Sequence, residues 1–368
     1  MNKTKERTKY IDTLKAICTI SIVVFHFLLL FFWDGFIGWG NSIPEGVSTF
    51  DYYFRYFPYS ILVNNSFPLY IFYGITSFTI TNSYFKNYDD NKIYNQAKKR
   101  YFRFLPIVLG SFILSYICYE FKLYNFEEFY NQTGNNWVLG RIGIDSSLKT
   151  VIFNGLIGAF FKTTQIISSL WCLQYLFLGS YLVYGLLLLC KRIKNRWIIY
   201  FVSSAIIFHI DQAYLSFIFG IIASDIYINK PFKNSISAFV CLISGIVIGL
   251  FPPVLLPSPI EAGSLYALGI LLVLISLDKT CKDSKLMNND VLSKIGVDSL
   301  SYIVANHFSL FPFSTRLYVV LVNTNLNNVF ILVILFIVYL LSELIIGKLF
   351  ALSFNPISNY ICNKLNSN

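Results

Sequence analysis

The sequence predicts an all-α, polytopic membrane protein of about ten transmembrane helices, with both termini in the cytoplasm. Three observations lead there. Of 368 residues, 55% are hydrophobic and only 13% charged, with a mean hydropathy of +0.59. A soluble domain carries about 25% charged residues, so the apolar excess belongs to lipid. The apolar residues also come in continuous runs near the ~20 residues that a helix needs to cross a bilayer, unlike the short alternating segments of a β-barrel. Finally, the basic residues behind the net charge of +10 fall in short clusters between those runs. That is the topological asymmetry of a membrane protein and not the footprint of a nucleic-acid binder.

The first span, 11–33, follows the basic opening MNKTKERTKYIDTLK. It lacks a small-residue cleavage site, so it reads as a retained helix and not a signal peptide. The remaining spans are expected at 66–84, 104–121, 169–190, 197–210, 213–228, 236–256, 263–277, 299–315 and 327–350. The fifth and sixth are short and form a tight pair around HIDQAY. Basic clusters before the first span and after the second, fourth, sixth and eighth mark the cytoplasmic side. The loops 34–65, 122–168, 257–262 and 316–326 carry few basic residues and belong on the other side. Trp33, Trp39, the stretch DYYFRYFPY and Trp197 lie at span ends, as interfacial aromatic belts do. The whole of 1–368 forms one membrane domain, without an internal repeat or a separate soluble domain. Seven cysteines lie scattered, mostly in apolar runs and without a CxxC pair, so neither a metal site nor a disulfide framework is expected.

Chemistry concentrates on the first span. Lys15 and His26 are eleven residues apart, close to three helical turns, which puts them on one stripe about 16 Å apart along the axis. Asp12, Thr19 and Ile22 share that stripe. Ionisable groups within a span are costly and face a protein interior or a water-filled cavity. A cation at the cytoplasmic rim suits a phosphorylated donor. A deep neutral imidazole suits either proton abstraction from a hydroxyl or covalent carriage of an acyl group.

The stretch YIDTLKAICTISIVVFH, with Asp12, Lys15 and His26, resembles the opening helix of the acyltransferase-3 family of integral membrane acyltransferases. Other pieces follow in the family's order. SFPLYIFYGITSF carries Pro68 and Gly74, KKRYFRFLP carries Arg100, Arg103 and Pro106, SSLWCLQYLFLG carries Trp171 and Leu173, and LSKIGVDSLSYIVANHF carries Gly296, Ser299 and His307. Lysine at position 15 is similar to a branch of surface-polysaccharide or fucose O-acetylases. Tyr73, Leu176 and Phe308 depart from the family pattern.

The resemblance implies an acyl-CoA donor, commonly acetyl-CoA, bound from the cytoplasm as substrate, with no permanently bound cofactor. It implies a sugar hydroxyl of an envelope or exported polysaccharide as acceptor, in a bacterial plasma (inner) membrane. His26 becomes the essential catalytic residue, with Lys15 and Asp12 as companions. Lys15, Arg100 and Arg103 become the acyl-CoA site, because guanidinium forks match phosphate oxygens. Trp171 either stacks on a sugar ring or walls the acyl pocket, and His307 hydrogen-bonds the acceptor or supports a residue that does. His209 reads as structural and Glu343 has no assigned role. With no acceptor-recognition domain fused to the chain, 122–168 is the candidate for acceptor specificity. A different class of function, a transporter or flippase with His26 as proton relay, is the alternative; repeat halves or paired broken helices are absent from the sequence.

Overall fold

The computed structural model describes residues 3–32, 64, 66–251 and 259–367. Trp33, Trp39 and the stretch 51–59 therefore lie outside the described residues, as do most of the predicted loop 34–65 and the end of the predicted span 236–256. Among the described residues every regular element is helical. In chain order these are α1 (Lys3–Phe31), α2 (Ser66–Phe85), α3 (Asp90–Glu120), α4 (Phe126–Thr133), α5 (Asn136–Leu139), α6 (Leu148–Phe161), α7 (Ser168–Arg192), α8 (Arg196–Ile210), α9 (Leu215–Asn229), α10 (Ser235–Leu250), α11 (Pro259–Cys281), α12 (Asp290–Val297), α13 (Ser299–Phe308), α14 (Arg316–Val322) and α15 (Asn328–Ser367). A π-helix, Ser309–Thr315, joins α13 to α14.

Where the expected spans fall on described residues, those residues are mostly helical. Among the described residues five helices are long and apolar enough to cross a membrane: Lys9–Phe31, Asp90–Glu120, Ser168–Arg192, Ala262–Cys281 and Asn328–Leu365. α8 and α10 are apolar but shorter. Several boundaries differ from the sequence expectation: α1 begins at Lys3, α11 runs Pro259–Cys281, and the helix from Ser299 continues through the π-helix and α14 to Val322. α3 begins at Asp90, so the basic cluster AKKRYFR is wound into the helix, and α15 runs past residue 350 to Ser367.

Local chemistry sets the other ends. Asn195 and Asn234 cap α8 and α10 by accepting hydrogen bonds from the Trp197 and Ile236 N–H groups, meeting donors that a helix start leaves unpaired. Asp211 accepts from Ala213 N–H and turns the chain from α8 into α9. Gly134 closes α4 in the left-handed conformation, φ 65°, where a Cβ would be strained.

The chain forms two compact units. The first comprises 1–20, 64–100 and 175–297, and the second 21–63, 101–174 and 298–368. In the first unit, α2, α9, α10 and α11 pack against one another through small residues. A Cβ on Gly220 of α9 would collide with Ser77 Oγ and the Gly74 carbonyl of α2, and Gly245 and Gly269 would each strike the other's carbonyl. Helices in lipid gain no hydrophobic term from meeting, so close backbone approach at small residues is what holds them. An ion pair, Arg196 to Asp225 at 2.9 Å, is completed by hydrogen bonds from Tyr200 and Asn229 to the same carboxylate.

In the second unit, α13 and the π-helix pack on α15, and the 3₁₀ turn Ser168–Cys172 that opens α7 packs on α13. Pro312, which has no N–H, sits within the π-helix, while Ser314 Oγ donates to the Ser309 carbonyl and the Thr315 hydroxyl to that of Phe311. Such widened turns re-aim side chains, here Phe311.

The small-residue crossing yields a prediction. Gly220→Leu drives a side chain into the α2 backbone and should lower the thermal unfolding midpoint in detergent, by an overpacking cost of about 1–3 kcal/mol. Gly185, whose Cβ would meet nothing within 4 Å, gives the control: Gly185→Ala should leave the midpoint within a degree or two. Equal effects would remove close approach as the cause.

Candidate functional site

The second unit assembles a chain of rings around His26. His26 is 4% exposed. Its ring lies parallel to Trp137, with centroids 6.0 Å apart and planes at 16°, and Phe25 meets it edge-on. The far side of the system is a cation. The Arg141 guanidinium sits 4.7 Å from the Trp137 ring and 4.8 Å from the Phe311 ring, a cation held between two π faces. Phe311 in turn meets His307 at 5.1 Å. His26, Trp137, Arg141, Phe311 and His307 thus form one contiguous set, although they come from α1, α5, the turn after it, the π-helix and α13.

One amide builds this set. Asn135, fully buried, accepts from the N–H groups of Trp137 and Val138 and so starts α5. Its Nδ2 donates to the carbonyl of Leu30 at 2.8 Å and reaches that of Leu29 at 3.3 Å. The residue that aims Trp137 is therefore the residue that grips α1 one turn beyond His26. One turn before His26, Tyr339 Oη donates to the Val23 carbonyl at 2.7 Å and accepts from Asn306 Nδ2. His26 is bracketed by two side-chain bonds to its own helix backbone.

The two histidines differ chemically. The Nδ1 of His26 is enclosed and has no hydrogen-bond partner among the described residues; the Ile22 carbonyl, one turn back, neighbours the ring without closing a full hydrogen bond. His307 is 1% exposed and engaged at both nitrogens. Ser168 N–H approaches Nδ1 at 3.3 Å and Tyr124 Oη lies 2.9 Å from Nε2. A backbone N–H can only donate, so Nδ1 accepts, the proton sits on Nε2 and that N–H donates to Tyr124. Tyr124 Oη pairs with Ser115 Oγ at 3.0 Å.

Arg141 is 3% exposed. Its Nη1 donates to the Gln165 carbonyl at 2.9 Å, while Nε has no partner among the described residues. Burial pushes the guanidinium down to about 10, which leaves it charged at neutral pH.

The remaining predicted residues are distributed as follows. Trp171 is half-buried in the 3₁₀ turn that presents Ser168 to His307. Arg103, in the second unit, is exposed on α3, and its guanidinium has no partner among the described residues; its carbonyl accepts from Ser358. Asp12, Lys15 and Arg100 belong to the first unit. Lys15 Nζ pairs with Asp12 at 3.0 Å, and the Asp12 backbone packs directly on Gly296, where any Cβ would clash. Arg100 reaches the Leu176 carbonyl at 3.4 Å. His209 is exposed at the end of α8. Glu343 is 3% exposed on α15, and neither carboxylate oxygen has a hydrogen-bond partner among the described residues.

Sequence reasoning missed Asn135, Trp137, Arg141, Tyr124 and Phe311. One signal was available. Arg141 is the single arginine of 122–168, a segment expected from the sequence to be poor in basic residues, so it carries more information than an arginine within a basic cluster.

A family model described as an acyltransferase domain, acyltransferase-3, matches residues 8–347. No curated protein and no solved structure matches the chain.

The Asn135 bonds make a prediction. Asn135→Asp keeps the acceptor that starts α5 but loses the donor and sets a carboxylate against the Leu30 carbonyl. Both Asn135→Asp and Asn135→Ala should lower the thermal unfolding midpoint, the alanine variant through loss of a cap worth about 0.5–2 kcal/mol. The aspartate variant should be no more stable than the alanine one, measured by Trp fluorescence in detergent. A wild-type midpoint in Asn135→Asp would show that the grip on α1 carries no weight.

Proposed function

The chain belongs to the acyltransferase-3 family of membrane acyltransferases, and from that premise we propose that it is an O-acyltransferase of the surface-polysaccharide or fucose O-acetylase-like branch. It moves an acyl group, acetyl in this reading, from cytosolic acyl-CoA to a hydroxyl of a cell-surface or exported polysaccharide sugar. The ten expected spans, cytoplasmic termini and a bacterial plasma membrane are part of the same proposal. The observation that carries it is His26: a ring enclosed in an apolar helix, stacked on Trp137, with Nδ1 unpaired among the described residues. His307 is tied to other segments at both nitrogens, whereas the polar neighbour of the His26 ring is the Ile22 carbonyl of its own helix, which leaves the imidazole without a bond to any other segment among the described residues.

The reaction balances on that one imidazole. His26 takes the proton of the acceptor hydroxyl as the oxygen attacks the thioester carbonyl. The tetrahedral intermediate collapses, the C–S bond breaks, and the CoA thiolate takes the proton back from the imidazolium, so an ester and a free thiol leave. Arg103, exposed and unpaired among the described residues, is suited to a nucleotide phosphate of the donor, the role also expected of Lys15 and Arg100 in the first unit. Asp12 orients Lys15 through their ion pair. His307, with both nitrogens committed, supports the site through Tyr124 and Ser168 and does not act as a base. The family match does not favour the transport alternative.

The test uses membranes holding wild type or His26→Ala at equal protein level, with radiolabelled acetyl-CoA and the host's envelope glycans. Label should enter the glycan fraction with wild type and fall about 10²–10⁴-fold in the variant, the range for loss of one general base. Free thiol release should fall with it. Equal label from both would remove His26 from the chemistry, and no label or thiol from either would sink the acyltransferase reading.

A further inference from the structure

A cleft of about 400 Å³ opens in the second unit, between the end of α3, the start of α4 and the turn after α5. That volume lies within the range of small-molecule sites, about 300–1,000 Å³. One wall is aromatic. Tyr124 and Phe126 stack with planes at 10° and centroids 4.9 Å apart, and Tyr119 meets Tyr124 at 4.6 Å. The rim is polar: Glu127 and Glu128 are exposed, in the first turn of α4, and their carboxylates make no hydrogen bond or ion pair among the described residues. Arg141 also lines the cleft; it is buried, and its Nε has no hydrogen-bond partner among the described residues. Lys122 completes the charged rim.

The charges decide what fits. Two carboxylates offset the two cations, so the cleft has no net pull on a polyphosphate, and its two acids oppose one directly. A coenzyme A headgroup is therefore the wrong occupant. Paired carboxylates and a guanidinium suit vicinal hydroxyls, accepting from and donating to them, while the aromatic wall suits the apolar face of a sugar ring. Position agrees. Arg103 and Tyr119 are sixteen residues apart on α3, about 24 Å along the axis, so the cleft lies at the opposite end of this helix from the arginine assigned to the donor. The wall also touches the ring set, because Tyr124 carries the hydrogen bond to His307 Nε2.

We propose that this cleft is a glycan-binding subsite that takes uncharged sugar units through the Tyr124–Phe126 stack, Glu127, Glu128 and Arg141. As the subsite for the acceptor it rests on the acyltransferase reading; as a glycan site it stands without it.

The test is saturation-transfer NMR on the full chain in lipid nanodiscs, with maltotetraose, a β-1,4-linked N-acetylglucosamine tetrasaccharide and a β-1,4-linked glucose tetrasaccharide as probes. Wild type should transfer saturation to ring protons of at least one probe. The double variant E127Q/E128Q, at two exposed positions, should weaken that binding tenfold or more, Arg141→Lys should also weaken it, and acetyl-CoA should not compete. The inference is overturned if none of the three probes binds, if the double variant binds as wild type does, or if acetyl-CoA displaces the sugar. The two readings fail separately. Sugar binding that depends on Glu127 and Glu128, in a protein that transfers no label, keeps the glycan site and rejects the transferase. Label transfer with sugar binding indifferent to these residues does the reverse.

Discussion

The arrangement around His26 depends on the side-chain amide of Asn135. An α-helix in lipid has already spent its backbone hydrogen bonds within itself, so a neighbouring segment can grip it only by packing or by adding a second bond to a carbonyl. Asn135 does the latter at Leu30 while its oxygen starts the short helix that carries Trp137. One planar group thus couples the rotation of α1 to the placement of the indole against His26. Tyr339 repeats the device one turn below, at Val23. Between these two points the histidine has little freedom to turn, which is what a base must have if its nitrogen is to meet a particular hydroxyl.

The two histidines show how environment assigns roles to one residue type. Both are buried, on different helices of the same unit. His307 has its tautomer set by a backbone N–H and its other nitrogen tied to Tyr124, so its proton has nowhere to go. His26 is held by the Trp137 face and the Phe25 ring, with the Ile22 carbonyl of its own helix nearby, and no other segment bonds it among the described residues. Arg141 links the two through Trp137 and Phe311, placing a positive charge between π faces where water is scarce.

The first unit solves a different problem. Its helices meet at Gly74, Gly220, Gly245 and Gly269, and its buried acid Asp225 is answered by Arg196, Tyr200 and Asn229. Close backbone contact and a fully answered carboxylate are the two ways a polar chain is reconciled with lipid. Neither requires a ligand, and that network has no counterpart of His26 stacked on Trp137 or of Arg141 held between two rings.

The helices were legible in the sequence because lipid leaves few solutions: a long apolar run must satisfy its backbone internally, so run length is enough to mark helix, and five of the described helices are long and apolar enough to cross a membrane. Lys15 and His26 were legible because ionisable residues in such runs are rare and 100° per residue places them on one stripe. What surrounds them was not. Trp137 and Arg141 lie more than a hundred residues from His26 in a segment with no periodicity, and Phe311 is aimed by a π-turn that helical spacing does not foresee. Tertiary structure alone decided which histidine is free and which is tied, since that depends on partners such as Ser168 and Tyr124, and hydrogen bonds between distant segments leave no trace in composition or period.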